Sequence, residues 1–76
     1  MVEKVMDLLE EICDDAIVRQ QKDINLFEED LIDSLGFTEL LVGLEERFGI
    51  VIAPSEVEKQ DVDTPDKIIK LVASRM

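Results

Sequence analysis

The sequence predicts an all-α protein, a four-helix bundle with three longer helices and one short helix. Two observations carry this prediction. Over residues 2–17 the apolar residues recur at three- and four-residue steps, the pattern of one face of an amphipathic helix. Only three of the 76 residues are aromatic although 46% are hydrophobic, so the core must consist mainly of Leu, Ile and Val. Such a core favours helices packed on one another over an aromatic-rich sheet.

Length and charge limit what the chain can be. At 76 residues it is expected to form a single domain over residues 1–76 and to leave few apolar residues for a catalytic pocket. Its net charge of −11 repels nucleic acid and anionic membranes, so neither RNA or DNA binding nor direct membrane insertion is expected. We expect instead a monomer that meets partners through basic patches on their surfaces.

The first predicted helix ends near residue 17, and a long loop is predicted over residues 18–33. A loop of this length in a compact domain is usually functional or held in place by its own side chains. Five apolar residues at irregular spacing are expected to attach it to the core: Ile24, Leu26, Phe27, Leu31 and Ile32. The loop would then deliver residues 33 and 34 to a fixed place.

The second long helix is predicted to start at Ser34, with Asp33 as its N-cap. Arg47 in the last turn and Gly49 just after it predict the end of this helix, with the glycine in a left-handed conformation and Ile50 as the apolar contact that follows.

The remaining elements are shorter. Residues 50–54 have a strand-like composition but no partner strand, which predicts an extended buried connector. Ser55 and Glu58 resemble a capping box and predict a short helix of one or two turns. Thr64 and Pro65 predict the start of a last helix. Its expected core residues are Ile68, Ile69, Leu71, Val72 and Met76.

Little in the sequence is suited to catalysis or metal binding. There is no histidine, which removes the usual general base and the commonest transition-metal ligand. Cys13 stands alone on the apolar stripe of the first helix, so we expect a buried, inert thiol and a reducing cytoplasmic location. The acidic residues 61–66 carry a proline at the fifth position of a calcium loop and lack the glycine that such a loop needs at the sixth. We therefore expect neither an enzyme nor a metal site.

The second long helix carries two apolar faces when it is drawn at about 100° per residue. The first is a predicted core stripe of Phe37, Leu40, Leu41, Leu44 and Phe48. Leu35 and Val42 fall on the opposite side, where Glu39, Glu45 and Glu46 surround them. Exposed apolar residues rimmed by charge are typical of a partner-binding surface. The alternative is that Leu35 and Val42 pack on the loop or on the short helix.

An Asp-Ser pair at a helix start is most often only a cap, but its context here is more specific. An acidic helix, a long tethered loop, Asp-Ser-Leu-Gly at residues 33–36 and a closing short helix follow one another in this order. The whole chain therefore resembles the acyl and peptidyl carrier protein family. The resemblance implies that Ser34, flanked by Asp33, is the attachment point of a covalent 4′-phosphopantetheine arm. A separate phosphopantetheinyl transferase would add this arm.

Within that family the chain resembles the D-alanyl carrier branch, which serves teichoic acid D-alanylation in cell wall biogenesis. The matching segments are residues 13–18, 23–34, 38–41 and 64–65. The resemblance implies that an ATP-dependent D-alanine ligase loads the arm with D-alanine as a thioester, and that membrane-bound D-alanyl transfer machinery receives it. Two alternatives remain: an acyl carrier of fatty-acid or polyketide synthesis, and an unmodified helical adaptor.

Overall fold

The computed structural model describes residues 1–75, and the predicted core residue Met76 lies outside them. Its four α-helices are α1 (Val2–Cys13), α2 (Ile17–Gln20), α3 (Ser34–Phe48) and α4 (Pro65–Arg75). Two 3₁₀ turns, Pro54–Glu56 and Lys59–Asp61, lie between α3 and α4. Three helices are long and one is short, and residues 1–75 contain no strand, so the predicted all-α architecture is confirmed. None of these helices is long and apolar enough to span a membrane.

The first predicted helix is shorter than its apolar pattern indicates. It ends at Cys13 because Asp14 adopts a left-handed conformation with φ of 53°. The carboxylate of Asp15 then accepts a hydrogen bond of 3.0 Å from the amide of Ile17, where α2 begins. The apolar pattern continues across this break, so the sequence predicted one helix up to residue 17 and a loop from residue 18. The short helix α2 was therefore not predicted.

The short helix predicted near residues 55–58 is instead a pair of 3₁₀ turns. The carboxylate of Glu56 accepts a hydrogen bond of 2.9 Å from the amide of Ala53, and Asp61 does the same for Glu58. The predicted capping pair of Ser55 and Glu58 is therefore wrong. The first turn begins at Pro54, whose fixed φ suits the opening position of a helical turn.

Both ends of α3 and the start of α4 are as predicted. A carboxylate oxygen of Asp33 accepts a hydrogen bond of 2.8 Å from the amide of Gly36, which makes Asp33 the N-cap. Gly49 is left-handed with φ of 68°, and its amide donates to the carbonyl of Glu45 at 2.9 Å. At α4 the hydroxyl of Thr64 accepts from the amide of Lys67 at 3.2 Å.

The core is aliphatic, as the composition predicts. Nine of its hydrophobic side chains have no exposed surface: Val5, Leu9, Val18, Leu26, Leu40, Leu44, Val62, Ile68 and Val72. The three phenylalanines Phe27, Phe37 and Phe48 are only partly buried and pack against the edge of this cluster. All five predicted loop tethers are buried or packed against the core, and Leu26 among them is fully buried.

Helices α1 and α3 pack closely because two glycines of α3 face α1. A methyl group added at Gly43 would lie 2.5 Å from Cδ1 of Leu8, and one added at Gly36 would lie 3.3 Å from Cγ2 of Ile12. Gly36 also lies against Ile32, the last buried residue of the loop. These glycines therefore set the distance between the two helices and the fit of the loop beside them.

Two arginines form ion pairs between α1 and neighbouring helices. Arg19 of α2 pairs with Asp7 and Glu10, and Arg47 of α3 pairs with Glu11. Ion pairs at such exposed positions each contribute less than about 1 kcal/mol. Their structural consequence is that three acids of α1 are engaged within the chain rather than available to partners.

The position of α3 can be tested through one of its fully buried leucines. Replacing Leu44, which has no exposed surface, with alanine should lower the free energy of unfolding by roughly 2–5 kcal/mol. The matched change Val42→Ala, at a residue of the same helix that is 47% exposed, should cost less than about 1 kcal/mol. Chemical denaturation measures both values. Equal costs at the two positions would contradict the orientation of α3.

Candidate functional site

Ser34 is the first residue of α3 and is exposed to solvent. Asp33 precedes it in an extended conformation and caps the helix with its side chain. The next turn contributes the hydroxyl of Thr38, which donates to the carbonyl of Ser34 at 3.2 Å. The backbone on both sides of the serine is therefore held by hydrogen bonds while its side chain faces solvent.

The loop before Ser34 is folded on itself around Leu26. The carbonyl of Leu26 accepts hydrogen bonds from the amides of Leu31 at 2.9 Å and Ile32 at 3.1 Å. The side-chain oxygen of Asn25 accepts from the amides of Phe27 at 3.1 Å and Glu28 at 2.9 Å. The segment from residue 25 to residue 32 is thus a compact turn.

The loop is also attached to the segment that leads into α4. The amide of Leu26 donates to the carbonyl of Asp63 at 2.7 Å, and the amide of Asp66 donates to the carbonyl of Lys22 at 3.0 Å. Both bonds join the loop to the start of α4. The chain that leads into Ser34 is therefore held by the start of α4 as well as by its own turn, and not by α3 alone.

Aromatic side chains connect the loop to the start of α3. The rings of Phe27 in the turn and Phe37 in the first turns of α3 are tilted by 55°, with their centroids 6.4 Å apart. The ammonium group of Lys59 lies 5.5 Å above the ring of Phe27, within the range of a cation–π contact. The loop, α3 and the second 3₁₀ turn meet at this point.

The predicted partner-binding residues share the solvent-facing side of α3. Leu35 is 68% exposed and Val42 is 47% exposed, so neither packs into the core. Glu39, Glu45 and Glu46 are exposed around them. The alternative that Leu35 and Val42 are covered by the loop or by a short helix is not supported by this exposure.

Val51 adds an apolar residue that the sequence analysis missed. The predicted buried connector is wrong at this position, because Ile50 and Ile52 are buried while Val51 is 69% exposed. An extended backbone places successive side chains on opposite sides, and this alternation was the signal available in the sequence. Val51 lines an open groove together with Val42 of α3.

Comparison with known proteins identifies the family of the chain. Residues 3–72 match the family model described as "Phosphopantetheine attachment site". The chain belongs to this family of carrier proteins. Members of the carrier family hold a phosphopantetheine group and are not catalytic. An exposed serine hydroxyl at a helix start fits such an attachment, because the free amides and the helix dipole there favour a phosphate group.

The carrier family contains close relatives of the whole chain. A D-alanyl carrier protein of Abiotrophia defectiva is 50% identical over 76 residues, which cover 100% of this chain and 96% of that protein. One from Bacillus subtilis (strain 168) is 42% identical over 67 residues, covering 88% of this chain and 86% of the relative. One from Bacillus cereus (strain B4264) is 40% identical over 68 residues, covering 90% and 86%. These similarities place the chain in the D-alanyl carrier branch of the family.

The only cysteine has the properties of a structural thiol. Cys13 is half-buried at the end of α1, and burial, with a smaller contribution from Asp15, raises the pKa of its thiol to about 11. The thiolate is the reactive form, so this side chain is a poor nucleophile at neutral pH. Among residues 1–75 no three His, Cys, Asp or Glu side chains converge to hold a metal ion.

The raised pKa of Cys13 predicts slow alkylation. A thiol with a pKa near 11 rather than 9.0 has about 100-fold less thiolate at about pH 8, and the higher nucleophilicity of the more basic thiolate offsets part of this, so folded protein should react at least about 10-fold more slowly than urea-unfolded protein. The rate in the folded protein should still rise with pH above the ordinary pKa of a thiol. Iodoacetamide labelling followed by intact mass measures this, and a rate that levels off near pH 9 would contradict the burial of the thiol.

Proposed function

We propose that Ser34 carries the phosphopantetheine arm and that the protein is a single carrier domain for D-alanine in teichoic acid D-alanylation. The similarity of the entire chain to D-alanyl carrier proteins, 50% identical over 76 residues in one case, is the observation that carries this proposal. The exposure of Ser34 and the rigid support around it are what an attachment site requires. When bound, the arm supplies a thiol that holds the amino acid as a thioester.

The parts of the chain would have separate tasks in this function. Asp33 and the turn around Leu26 hold the serine in one place, where a phosphopantetheinyl transferase can reach it. Leu35 and Val42, with Glu39, Glu45 and Glu46 at the rim, form the docking face, which meets the transferase, a D-alanine ligase and membrane-bound transfer machinery. Since the ligase uses ATP, we place the carrier in the cytoplasm. A tethered cargo stays at a high effective concentration near each partner.

Ser34→Ala should abolish attachment of the arm and leave the fold intact. The change is at an exposed position next to the N-cap, so the free energy of unfolding should change by no more than about 0.5 kcal/mol. Intact mass after incubation with a phosphopantetheinyl transferase and coenzyme A measures attachment. Ser55→Ala and Ser74→Ala are matched controls at exposed serines and should accept the arm fully. An arm on Ser34→Ala would refute the assignment.

The same preparation separates the candidate functions. With ATP, a D-alanine ligase and D-alanine, the modified carrier should gain the mass of one alanyl group, and propionate should not replace the amino acid. Efficient loading with fatty acids by an acyl-transferring enzyme, without D-alanine loading, would favour an acyl carrier. A protein that no transferase modifies would be an adaptor.

Charge and apolar substitutions on the docking face should have different kinetic effects. Glu39→Lys and Glu46→Lys should slow association with the ligase and weaken its salt dependence, because exposed charges act chiefly on the encounter rate. Val42→Asp should instead speed dissociation by placing a charge where water must be removed. Surface-immobilised binding at two salt concentrations measures both rates.

A matched control shows whether the kinetic effects are specific to the docking face. Glu3→Lys makes the same change in net charge on α1, at an exposed residue away from the face, and should affect association less. All four variants should keep the melting temperature of the wild type within a few degrees. If Val42→Asp unfolds the protein while binding per folded molecule is unchanged, the docking face lies elsewhere.

A further inference from the structure

Ser34 and Glu45 lie on one line along α3. At about 100° per residue, Glu45 is only about 20° from Ser34 around the helix axis, with Thr38 and Leu41 at about 40° and −20°. The other two rim carboxylates are turned away, since Glu46 and Glu39 lie at about 120° and 140°. A chain that leaves Ser34 and follows the helix therefore passes Thr38 and Leu41 and reaches Glu45.

An open groove accompanies this line. It lies between α3 and the connector that follows, has a volume of about 200 Å³ and is lined by Thr38, Leu41, Val42 and Glu45 on one side and by Val51 and Ile52 on the other. Leu41 and Ile52 form a buried apolar floor, and Val42 and Val51 are exposed walls. The polar groups of the lining are the hydroxyl of Thr38 near Ser34 and the carboxylate of Glu45 at the far end.

The distance from Ser34 to Glu45 along α3 matches the length of the arm. Ser34 and Glu45 are eleven residues apart, which is about 16 Å along the helix. An extended phosphopantetheine, at roughly 1.2 Å per bond as in an extended polypeptide, spans about 17 Å from the serine oxygen to its sulfur. The cargo of an arm lying in the groove would therefore reach the carboxylate of Glu45.

We propose that the groove between α3 and residues 51–54 holds the loaded arm, with the carboxylate of Glu45 paired to the ammonium group of its aminoacyl cargo. This inference rests on the proposed function, both for the arm on Ser34 and for an amino acid as cargo. The β-alanine segment of the arm, about 10 Å from the serine oxygen, contacts Leu41, Val42 and Val51. Glu45 then distinguishes a cargo that carries a positive charge from a neutral acyl group of the same size.

The arm is held loosely in this position and is released by partners. An exposed ion pair is weak and is screened by salt, so the loaded arm exchanges between the groove and solvent. Val42 and Glu45 also belong to the docking face. A partner that covers them removes both the apolar wall and the carboxylate from the arm, and docking thus frees the cargo for transfer.

The test uses the full chain with the arm attached and a cargo that does not hydrolyse. A phosphopantetheinyl transferase attaches the arm from a coenzyme A analogue with a terminal amine, so that D-alanine is joined through an amide and keeps its free ammonium group. An isobutyryl group in the same linkage, with a methyl group in place of the ammonium group, is the neutral control of equal size. The variants are Glu45→Gln and, as the matched change one residue along the helix, Glu46→Gln.

Two NMR measurements report on the arm. In the D-alanyl form we expect nuclear Overhauser effects from the β-alanine methylene groups of the arm to the methyl groups of Val51 and Leu41, and they should be weaker in the isobutyryl form. The pKa of the cargo ammonium should be higher in the wild type than in Glu45→Gln, because the carboxylate stabilises its charged form. Glu46→Gln should keep the wild-type pKa, and high salt should reduce the difference.

Each result bears on a distinct claim. An arm without contacts to Val51 and Leu41, or a cargo pKa that is equal in the wild type and Glu45→Gln, overturns the inference and leaves the proposed function standing. Equal effects of Glu45→Gln and Glu46→Gln also overturn it, because they indicate the general field of the acidic surface. An intact mass without the arm on Ser34 overturns the proposed function, and the inference with it.

Discussion

The position of Ser34 depends on Leu26, which is held in place by its side chain, its amide and its carbonyl. The side chain of Leu26 is fully buried, its amide donates to Asp63 and its carbonyl accepts from Leu31 and Ile32. The loop between α2 and α3 is therefore closed on itself and joined to the start of α4. The chain enters α3 from a fixed direction, Asp33 caps the helix, and the serine is exposed at one defined point on the bundle. The attachment site that we propose at Ser34 needs a presented hydroxyl, and this arrangement supplies one.

The structure divides the acidic surface into two parts. Three acids of α1 pair with Arg19 and Arg47 and link α1 to α2 and α3. The acids of α3 around Leu35 and Val42 are exposed, and in our proposal they meet basic partners. In our proposal Glu45 has a further task, since it faces along the same line as Ser34.

Sequence reasoning predicted the features that are determined locally. The cap at Asp33, the left-handed Gly49 and the start of α4 depend on a few neighbouring residues with strong conformational preferences. It missed the end of α1, because the apolar pattern continues beyond the left-handed Asp14. It also missed the packing role of Gly36 and Gly43, which depends on contacts with side chains of α1 and the loop. The angular positions of residues around the helix were enough to predict that Leu35 and Val42 face outward. The exposure of Val51 could be seen only once the path of the connector was known.

Native-state hydrogen exchange of the Leu31 and Ile32 amides tests the fixation of the Ser34 site most directly. Both amides donate to the carbonyl of Leu26, so they exchange only when the turn opens. If the turn is an integral part of the bundle, their opening free energies should approach those of core amides in α3 such as Leu44. Exchange at the rate of an unstructured loop while α3 remains protected would contradict this account, because Ser34 would then be presented by α3 alone.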